Sequence, residues 1–224
     1  MRDGGVYSLD LDPLPQTGIF FKVGRVDDVF VKMPSREGLG DFRKYVRLAQ
    51  STSSDIRALE DRERFEQLDS TLRQFPEFLQ IGAVDRNVLH YLVVHRIQHE
   101  RLRNNAAVNV PAARFALLRS GRVFHKLEPI FFQECVEGTT LWEMFDYAAL
   151  EVTRPWWPFL PAISTQLAKL LDSDLVNHVD WNIQNFVFRR SDERLFYVDL
   201  KPTTFVAMQS NEKNLKGIRE YFVE

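Results

Sequence analysis

The chain has 224 residues, 45% of them hydrophobic and 27% charged, a composition that predicts one large globular domain or two small lobes with a substantial core. Its net charge of -2 provides no basic field for nucleic acid, and no apolar run approaches the length of a membrane span. The single cysteine, Cys135, excludes an internal disulfide framework, and no charged-then-apolar leader opens the chain, so we expect a cytoplasmic protein.

The first predicted element is a β-hairpin. Residues 18–25 (GIFFKVGR) and 27–34 (DDVFVKMP) are two short runs rich in β-branched and aromatic side chains, a pattern typical of paired strands. Lys32 interrupts the second run, although a buried ammonium group is costly without a partner. Either this strand lies at the edge of a sheet, where the ammonium reaches solvent, or Lys32 has a binding role, which is the interpretation we favour.

Three helices are predicted next. Residues 41–50 and 53–75 are amphipathic, and residues 85–104 form the third helix, in which His95 and His99 share one face. A separation of four residues is that of helical zinc ligands, but HRIQH lacks the glutamate of the hydrolase motif and no cysteine cluster supplies further ligands. We therefore expect both histidines to lie at the surface or to face a partner.

Strand character returns in residues 113–138, where the last run, IFFQECVEG, breaks at its final glycine. Thr139 or Thr140 is expected to cap the helix that follows, with Glu143 in its first turn. A further amphipathic helix then leads the chain into a polar loop. Its apolar stripe consists of Ile163, Leu167, Leu170 and Leu171.

The polar loop and the hairpin after it contain the candidate catalytic and metal-binding residues. His178, Asp180 and Asn185 precede an apolar FVF run, and a second run, LFYV, ends at Asp199. Antiparallel pairing of the two runs would bring Asp180, Asn185 and Asp199 close together. Two carboxylates and an amide oxygen are hard ligands that suit Mg²⁺ with phosphate oxygens in its remaining positions, which indicates phosphoryl transfer. Alternatively, Asp and Asn occupy these turns only because their side chains form hydrogen bonds with the nearby backbone.

The spacing His-x-Asp-x-x-x-x-Asn, followed by a hairpin and another Asp, resembles the catalytic loop and metal-binding Asp of the protein-kinase-like superfamily. The chain looks closest to small atypical members such as aminoglycoside and choline phosphotransferases and bacterial sugar or lipopolysaccharide-core kinases. The resemblance implies that Asp180 accepts the proton of the attacking hydroxyl, that Asn185 and Asp199 hold Mg²⁺, and that His178 braces the loop. The chain departs from the family in Val179 and in the LKP that follows Asp199, which removes the mobile Phe switch of regulated protein kinases.

The same resemblance assigns the nucleotide contacts. Lys32 would bind the α- and β-phosphates of ATP, and the backbone of Glu134 to Val136 would meet the adenine edge as a hinge. A core strand followed by a turn is the simpler interpretation of that segment. A helical glutamate should pair with Lys32, and we select Glu63 from three candidates. These candidates are Glu60, Glu63 and Glu66. No Gly-x-Gly-x-x-Gly precedes Lys32; the glycines there are Gly18 and Gly24.

We therefore expect an α+β fold, a minimal protein-kinase-like fold of two lobes. Residues 1–137 would form an N-terminal lobe with inserted helices, and residues 138–224 a truncated C-terminal lobe, since only 25 residues follow Asp199. The expected function is ATP- and Mg²⁺-dependent phosphoryl transfer to a hydroxyl of a small molecule or sugar.

Three other functions are open to this chain. A pseudokinase, which binds a nucleotide or a protein partner without turnover, is favoured by the missing glycine loop and opposed by the retention of Lys32, Asp180, Asn185 and Asp199 together. Nucleotidyl transfer on the same fold differs only in which phosphate faces the acceptor. A non-haem iron oxygenase is opposed because no histidine follows His178 to complete the ligand triad.

Overall fold

A computed structural model describes residues 6–7, 21–26, 28–34, 86–120, 126–144, 157–200 and 211–223. The chain divides into two compact units. The first consists of Met1–Ile97 and Ala112–Cys135, and the second of Gln98–Pro111 and Val136–Glu224.

The first unit contains a five-stranded sheet with the strand order β1-β4-β5-β3-β2. Its strands are β1 (Val6–Tyr7), β2 (Phe21–Val26), β3 (Val29–Pro34), β4 (Ala113–Ser120) and β5 (Lys126–Glu134). Neighbouring strands are antiparallel except for β1 and β4, which are parallel. The predicted hairpin of β2 and β3 is therefore confirmed, and β4 and β5 confirm the strand character predicted for residues 113–138.

β3 lies in the interior of this sheet, because it pairs with β2 on one side and β5 on the other. Lys32 lies across from Val23 on β2 and from Phe131 on β5, and its side chain is half-buried. The edge-strand explanation for Lys32 is therefore wrong. The alternate positions behave as the sequence pattern predicts: Val31 belongs to the buried cluster, and Val29 and Met33 pack against it.

Helix α1 (Arg86–Arg103) confirms the predicted third helix. The expectation that His95 and His99 lie at the surface is wrong, since their residues are 2% and 3% exposed. The His95 ring centroid lies 4.7 Å from that of Phe131, and His99 Nε2 lies 3.1 Å from the carbonyl oxygen of Pro111. Both histidines are core residues because apolar neighbours on α1, such as Val93 and Leu102, are buried as well.

The second unit contains a three-stranded sheet with the order β6-β7-β8 and two helices among its described residues. The elements are β6 (Thr139–Thr140), α2 (Leu160–Leu171) after a short 3-10 turn (Trp157–Phe159), β7 (Phe186–Arg189), β8 (Arg194–Tyr197) and α3 (Asn211–Ile218), which continues into a π-helical turn (Arg219–Val223). All four residues of the predicted apolar stripe on α2 are buried, and β7 and β8 form the predicted hairpin.

The connection from β5 into the second unit is fixed by two local features. Gly138 lies against β7, so closely that a Cβ there would be 2.8 Å from Val187 Cγ1 and nearer still to the carbonyl oxygen of Phe188. Residues 141–144 are helical, and the Thr140 N–H donates to Glu143 Oε2 (2.7 Å) while the Glu143 N–H donates to Thr140 Oγ1 (3.1 Å). This reciprocal capping box identifies Thr140 as the cap.

Helix α3 continues into the π-helical turn, which packs against α2. The Ser164 hydroxyl on α2 donates a hydrogen bond to the carbonyl oxygen of Phe222, and Phe222 itself is buried. These contacts attach the end of the chain to α2. The described residues thus form a mixed α+β fold. None of the helices among them combines the length and the apolar character needed to cross a membrane.

Candidate functional site

The candidate loop runs from the end of α2 to the start of β7 and contains two 3-10 turns. In the first (Asp174–Asn177), the Leu175 N–H donates to Ser173 Oγ at 3.2 Å. In the second (Ile183–Asn185), the Gln184 N–H donates to Asn182 Oδ1 at 3.0 Å. Ser and Asn are favoured at such positions because their side-chain oxygens accept from backbone N–H groups that the turn leaves without partners. The loop is therefore built from local hydrogen bonds.

Asp180 and Asn185 meet inside this loop. The Asn185 amide Nδ2 donates to Asp180 Oδ2 at 2.9 Å and to the Asp180 carbonyl oxygen at 3.3 Å, and both residues are buried. The Asn182 N–H donates to the other carboxylate oxygen, Oδ1, at 3.3 Å. Both bonds from Asn185 use its nitrogen, so they fix the orientation of the amide without using its oxygen.

The β7–β8 hairpin brings Asp199 to the same end as Asn185. Phe186 lies across from Tyr197, and one step beyond this pair the Val198 N–H donates to the Asn185 carbonyl oxygen at 2.9 Å. Asp199 is the next residue and is half-buried. The hairpin thus places Asp199 beside the residue that contacts Asp180.

Tyr197 links the two carboxylates, and the sequence analysis did not identify it. Its residue is 1% exposed, and its hydroxyl oxygen accepts a hydrogen bond from the Asp180 N–H at 3.2 Å. Burial raises the pKa of the phenol well above its usual value, and the negative charge of Asp199 raises it further. The hydrogen bond from the Asp180 N–H lowers the pKa, and the charge of the Asp180 carboxylate raises it by a smaller amount. Both carboxylates therefore act on the same phenol.

His178 is held by two residues of α1. Gln98 Nε2 donates to the His178 carbonyl oxygen at 2.8 Å, and Arg101 Nη1 lies 3.1 Å from His178 Nδ1 and 3.4 Å from Nε2. Arg101 therefore lies against the His178 ring, while Gln98 holds its backbone. The sequence did not indicate this contact, although Gln98 and Arg101 are three residues apart and so share one face of a helix.

Aromatic side chains pack behind the loop. Trp181 is fully buried, and its indole Nε1 donates to the Val176 carbonyl oxygen at 2.8 Å. Its ring stacks on that of Phe186 with centroids 5.6 Å apart, and Phe186 lies the same distance from Tyr197. Burying three large rings directly beside Asp180 and Asn185 gives the polar residues a rigid support.

The donor set suits a hard cation. Asn185 offers an amide oxygen and Asp199 a carboxylate, and Mg²⁺ is commonly bound by one or two such groups together with waters and substrate phosphates. Across the part of the chain that the structure describes, no three or more His, Cys, Asp or Glu side chains gather as a metal site. Among those residues, Asn185 and Asp199 are the donors that the sequence analysis assigns to Mg²⁺.

The residues predicted to bind the nucleotide are not part of the candidate loop. The Glu134 N–H donates to the Ala112 carbonyl oxygen at 2.8 Å, and the Cys135 N–H donates to that of Asp28 at 2.8 Å. Val136 is buried in a small apolar cluster of the second unit. In the predicted hinge, the N–H groups of Glu134 and Cys135 are therefore already used. Lys32 belongs to the first unit, and Glu63 lies outside the described residues, as do Glu60, Glu66 and Gly18.

No protein-family model matches the chain, and no curated protein matches it either. Any function of this chain is therefore inferred from its residues, above all from the hydrogen bond between Asn185 and Asp180 and from the position of Asp199 next to Val198.

Proposed function

We propose that the protein is an ATP- and Mg²⁺-dependent phosphotransferase of the protein-kinase-like type that acts on a hydroxyl of a small molecule or sugar. The observation that carries the proposal is the hydrogen bond between Asn185 and Asp180, with Asp199 placed beside it by the β7–β8 hairpin. The resemblance assigns the base and metal-binding roles to these three residues, although the outer two are 19 positions apart in the sequence.

Each residue has a distinct role in the proposed reaction. Asn185 and Asp199 hold Mg²⁺, and Asp180 accepts the proton of the attacking hydroxyl. Bound Mg²⁺ neutralises the negative charge of the phosphate oxygens. The chain contributes positioning: Asn185 orients the Asp180 carboxylate, Tyr197 holds the Asp180 backbone, and Arg101 and Gln98 hold His178.

The proposal also includes residues that would contact the nucleotide. Lys32, in an interior strand, would bind ATP phosphates, and the backbone of Glu134 to Val136 would bind the adenine. Because the Glu134 and Cys135 N–H groups are engaged by backbone carbonyls, the donor to adenine in this segment would be the Val136 N–H.

A second candidate function is a nucleotide- or protein-binding module without turnover. The observation in its favour is the state of Asp180, which is 2% exposed and whose two carboxylate oxygens both accept hydrogen bonds from the loop. An Asp held in this way can serve purely as the brace of the loop.

A thermal-shift titration with ATP and Mg²⁺, alone and together, tests the proposed site. We expect the wild-type chain to be stabilised only by the combination and the Asp199→Ala variant to lose this shift while remaining folded. Asp192→Ala is the matched control, because Asp192 is an exposed residue of the hairpin turn that pairs with Arg189. An Asp199→Ala variant that responds like the wild type would remove the basis of the assignment.

Turnover separates the two candidate functions. With radiolabelled ATP, a phosphotransferase should show metal-dependent loss of the γ-phosphate that Asp180→Asn reduces at least about 100-fold, while Mg·ATP binding persists. A binding module would give the same thermal shift with no turnover in the wild-type chain.

A further inference from the structure

An open cavity of about 330 Å³ lies in the second unit beside the candidate loop. Its walls come from the helical residues 141–144, from the second 3-10 turn of the loop, from α3 and from the π-helical turn. The side chains used below are Trp142, Asn182, Gln184, Lys213 and Tyr221. A cavity of this size is at the small end of ligand pockets, which span roughly 300–1,000 Å³, and suits a compound with one ring.

The cavity and the candidate site share the same stretch of backbone. Asn182 lines the cavity, and its N–H donates to Asp180 Oδ1 at 3.3 Å. Gln184 also lines the cavity and directly precedes Asn185, whose amide contacts the Asp180 carboxylate. A molecule in the cavity would therefore lie against the stretch of loop between Asp180 and Asn185, including the residue whose N–H bonds to the Asp180 carboxylate.

The lining combines aromatic rings with one positive charge. Trp142 and Tyr221 are 46% and 64% exposed, and large rings that remain this accessible around one cavity provide stacking surfaces for a flat ligand. Among the described residues that line the cavity, Lys213 carries the only charge. No carboxylate of the described chain pairs with Lys213, whereas Lys216 on the same helix pairs with Glu220. Lys213 therefore offers one positive charge to an anionic group of a ligand.

A second cavity of the same unit, of about 300 Å³, differs in that its polar side chains are already engaged. Lys169 Nζ donates to the Ala106 carbonyl oxygen at 2.7 Å, Gln166 Oε1 accepts from the Leu195 N–H at 2.9 Å, and Asn109 Nδ2 donates to the Leu195 carbonyl oxygen at 3.0 Å. Gln166 and Asn109 thus hold β8, and Lys169 is bonded to Ala106, which makes the Trp142 cavity the better ligand site.

We propose that the Trp142 cavity binds the acceptor, and that the acceptor is an anionic alcohol with a single flat ring. The inference rests on the proposed phosphotransferase function. The ring stacks on Trp142 and Tyr221, and the anionic group pairs with Lys213. In the transfer, the acceptor oxygen bonds to the γ-phosphorus of ATP, the bond from that phosphorus to the β–γ bridging oxygen breaks to leave ADP, and the hydroxyl proton passes to the Asp180 carboxylate.

Calorimetric titration of the full chain with 4-(hydroxymethyl)benzoate tests the ligand class. We expect this probe to bind, and the cationic analogue 4-(aminomethyl)benzyl alcohol to bind at least tenfold more weakly. Trp142→Ala should weaken the benzoate probe at least tenfold. Trp157→Ala is the matched control, since Trp157 is 53% exposed and does not line the cavity. Lys213→Glu should reverse the preference between the two probes.

The inference is overturned if the wild-type chain does not bind the benzoate probe, if Trp142→Ala and Trp157→Ala bind it equally, or if Lys213→Glu leaves the preference unchanged. The Asp199→Ala variant separates this result from the proposed function, because probe binding requires no metal and should survive that substitution. Probe binding without Mg·ATP turnover would refute the phosphotransferase and leave the anionic ligand site standing. Turnover without probe binding would refute the acceptor site alone.

Discussion

Tyr197 couples the stability of the fold to the chemistry of the loop. Its hydroxyl accepts from the Asp180 N–H, and burial together with the charge of Asp199 raises the pKa of the phenol well above 10. Below pH 10 the phenol is neutral in the folded and the unfolded chain. Above pH 10 the unfolded chain releases a proton that the folded chain retains, so this residue lowers the free energy of unfolding as the pH rises.

The Tyr197→Phe substitution separates these two effects. At neutral pH we expect the free energy of unfolding to fall by about 1–3 kcal/mol, because the buried Asp180 N–H loses its acceptor. Above about pH 10 the deficit should shrink by up to about 1.4 kcal/mol per pH unit, because the variant has no phenol to ionise on unfolding. Denaturant titrations over this pH range, in a buffer that contains a chelator, measure both the deficit at neutral pH and its change with pH. A deficit that does not change with pH would contradict this account of the phenol.

The link between β5 and β6 depends on the absence of a side chain at Gly138. A Cβ there would lie 2.9 Å from the carbonyl carbon of Phe188 and closer to its oxygen, and backbone atoms of a paired strand cannot move aside cheaply. We expect Gly138→Ala to lower the free energy of unfolding by about 1–3 kcal/mol, the usual cost of overpacking. Chemical denaturation with circular dichroism as the readout checks the value.

Gly217 provides the matched control for this substitution. It lies in α3, and a Cβ there would meet nothing within 4 Å. Gly217→Ala should therefore raise the free energy of unfolding by about 0.5–1 kcal/mol through the helix preference of alanine. Equal destabilisation by the two substitutions would show that the close contact with β7 is not what makes Gly138 necessary.

The elements that the sequence predicted are those set by local periodicity. Alternating strands, the apolar stripe of α2 and the β7–β8 hairpin each repeat a pattern over neighbouring residues, and the hairpin alone is enough to expect Asn185 near Asp199. Contacts between remote parts of the chain leave no such pattern. The pairing of Lys32 with Phe131 that makes β3 an interior strand, and the contact of Arg101 with His178, join residues 99 and 77 positions apart.

Which polar residues are buried could not be predicted from the sequence either. His95 and His99 follow the spacing of a surface or ligand pair, yet both lie in the core because of what packs on α1. Tyr197 counted only as an apolar strand residue in the sequence, while its position near Asp180 and Asp199 depends on the fold of the loop. Polar residues thus carry information about a site only once the surrounding packing is known.

At the scale of the whole molecule, the residues proposed for the reaction include members of each compact unit. Lys32 is fixed in the first unit by the pairing of β3 with two neighbours, and Asp199 is fixed in the second by the β7–β8 hairpin. Phosphoryl transfer depends mainly on positioning and charge neutralisation, to which both residues would contribute in the same transition state. Two independent binding modules would instead leave each residue with a separate function.

A double-mutant cycle of Lys32→Ala and Asp199→Ala distinguishes these cases. If both residues act in one reaction, each single variant should lose at least about 100-fold of the metal-dependent ATP turnover, and the double variant should lose little more than the worse single one. Effects on turnover that multiply would indicate separate roles. Unfolding curves of all four proteins serve as the control, because turnover lost through unfolding would appear there as a loss of cooperative transition. Non-additive loss in folded variants is the result expected if Lys32 and Asp199 serve one reaction.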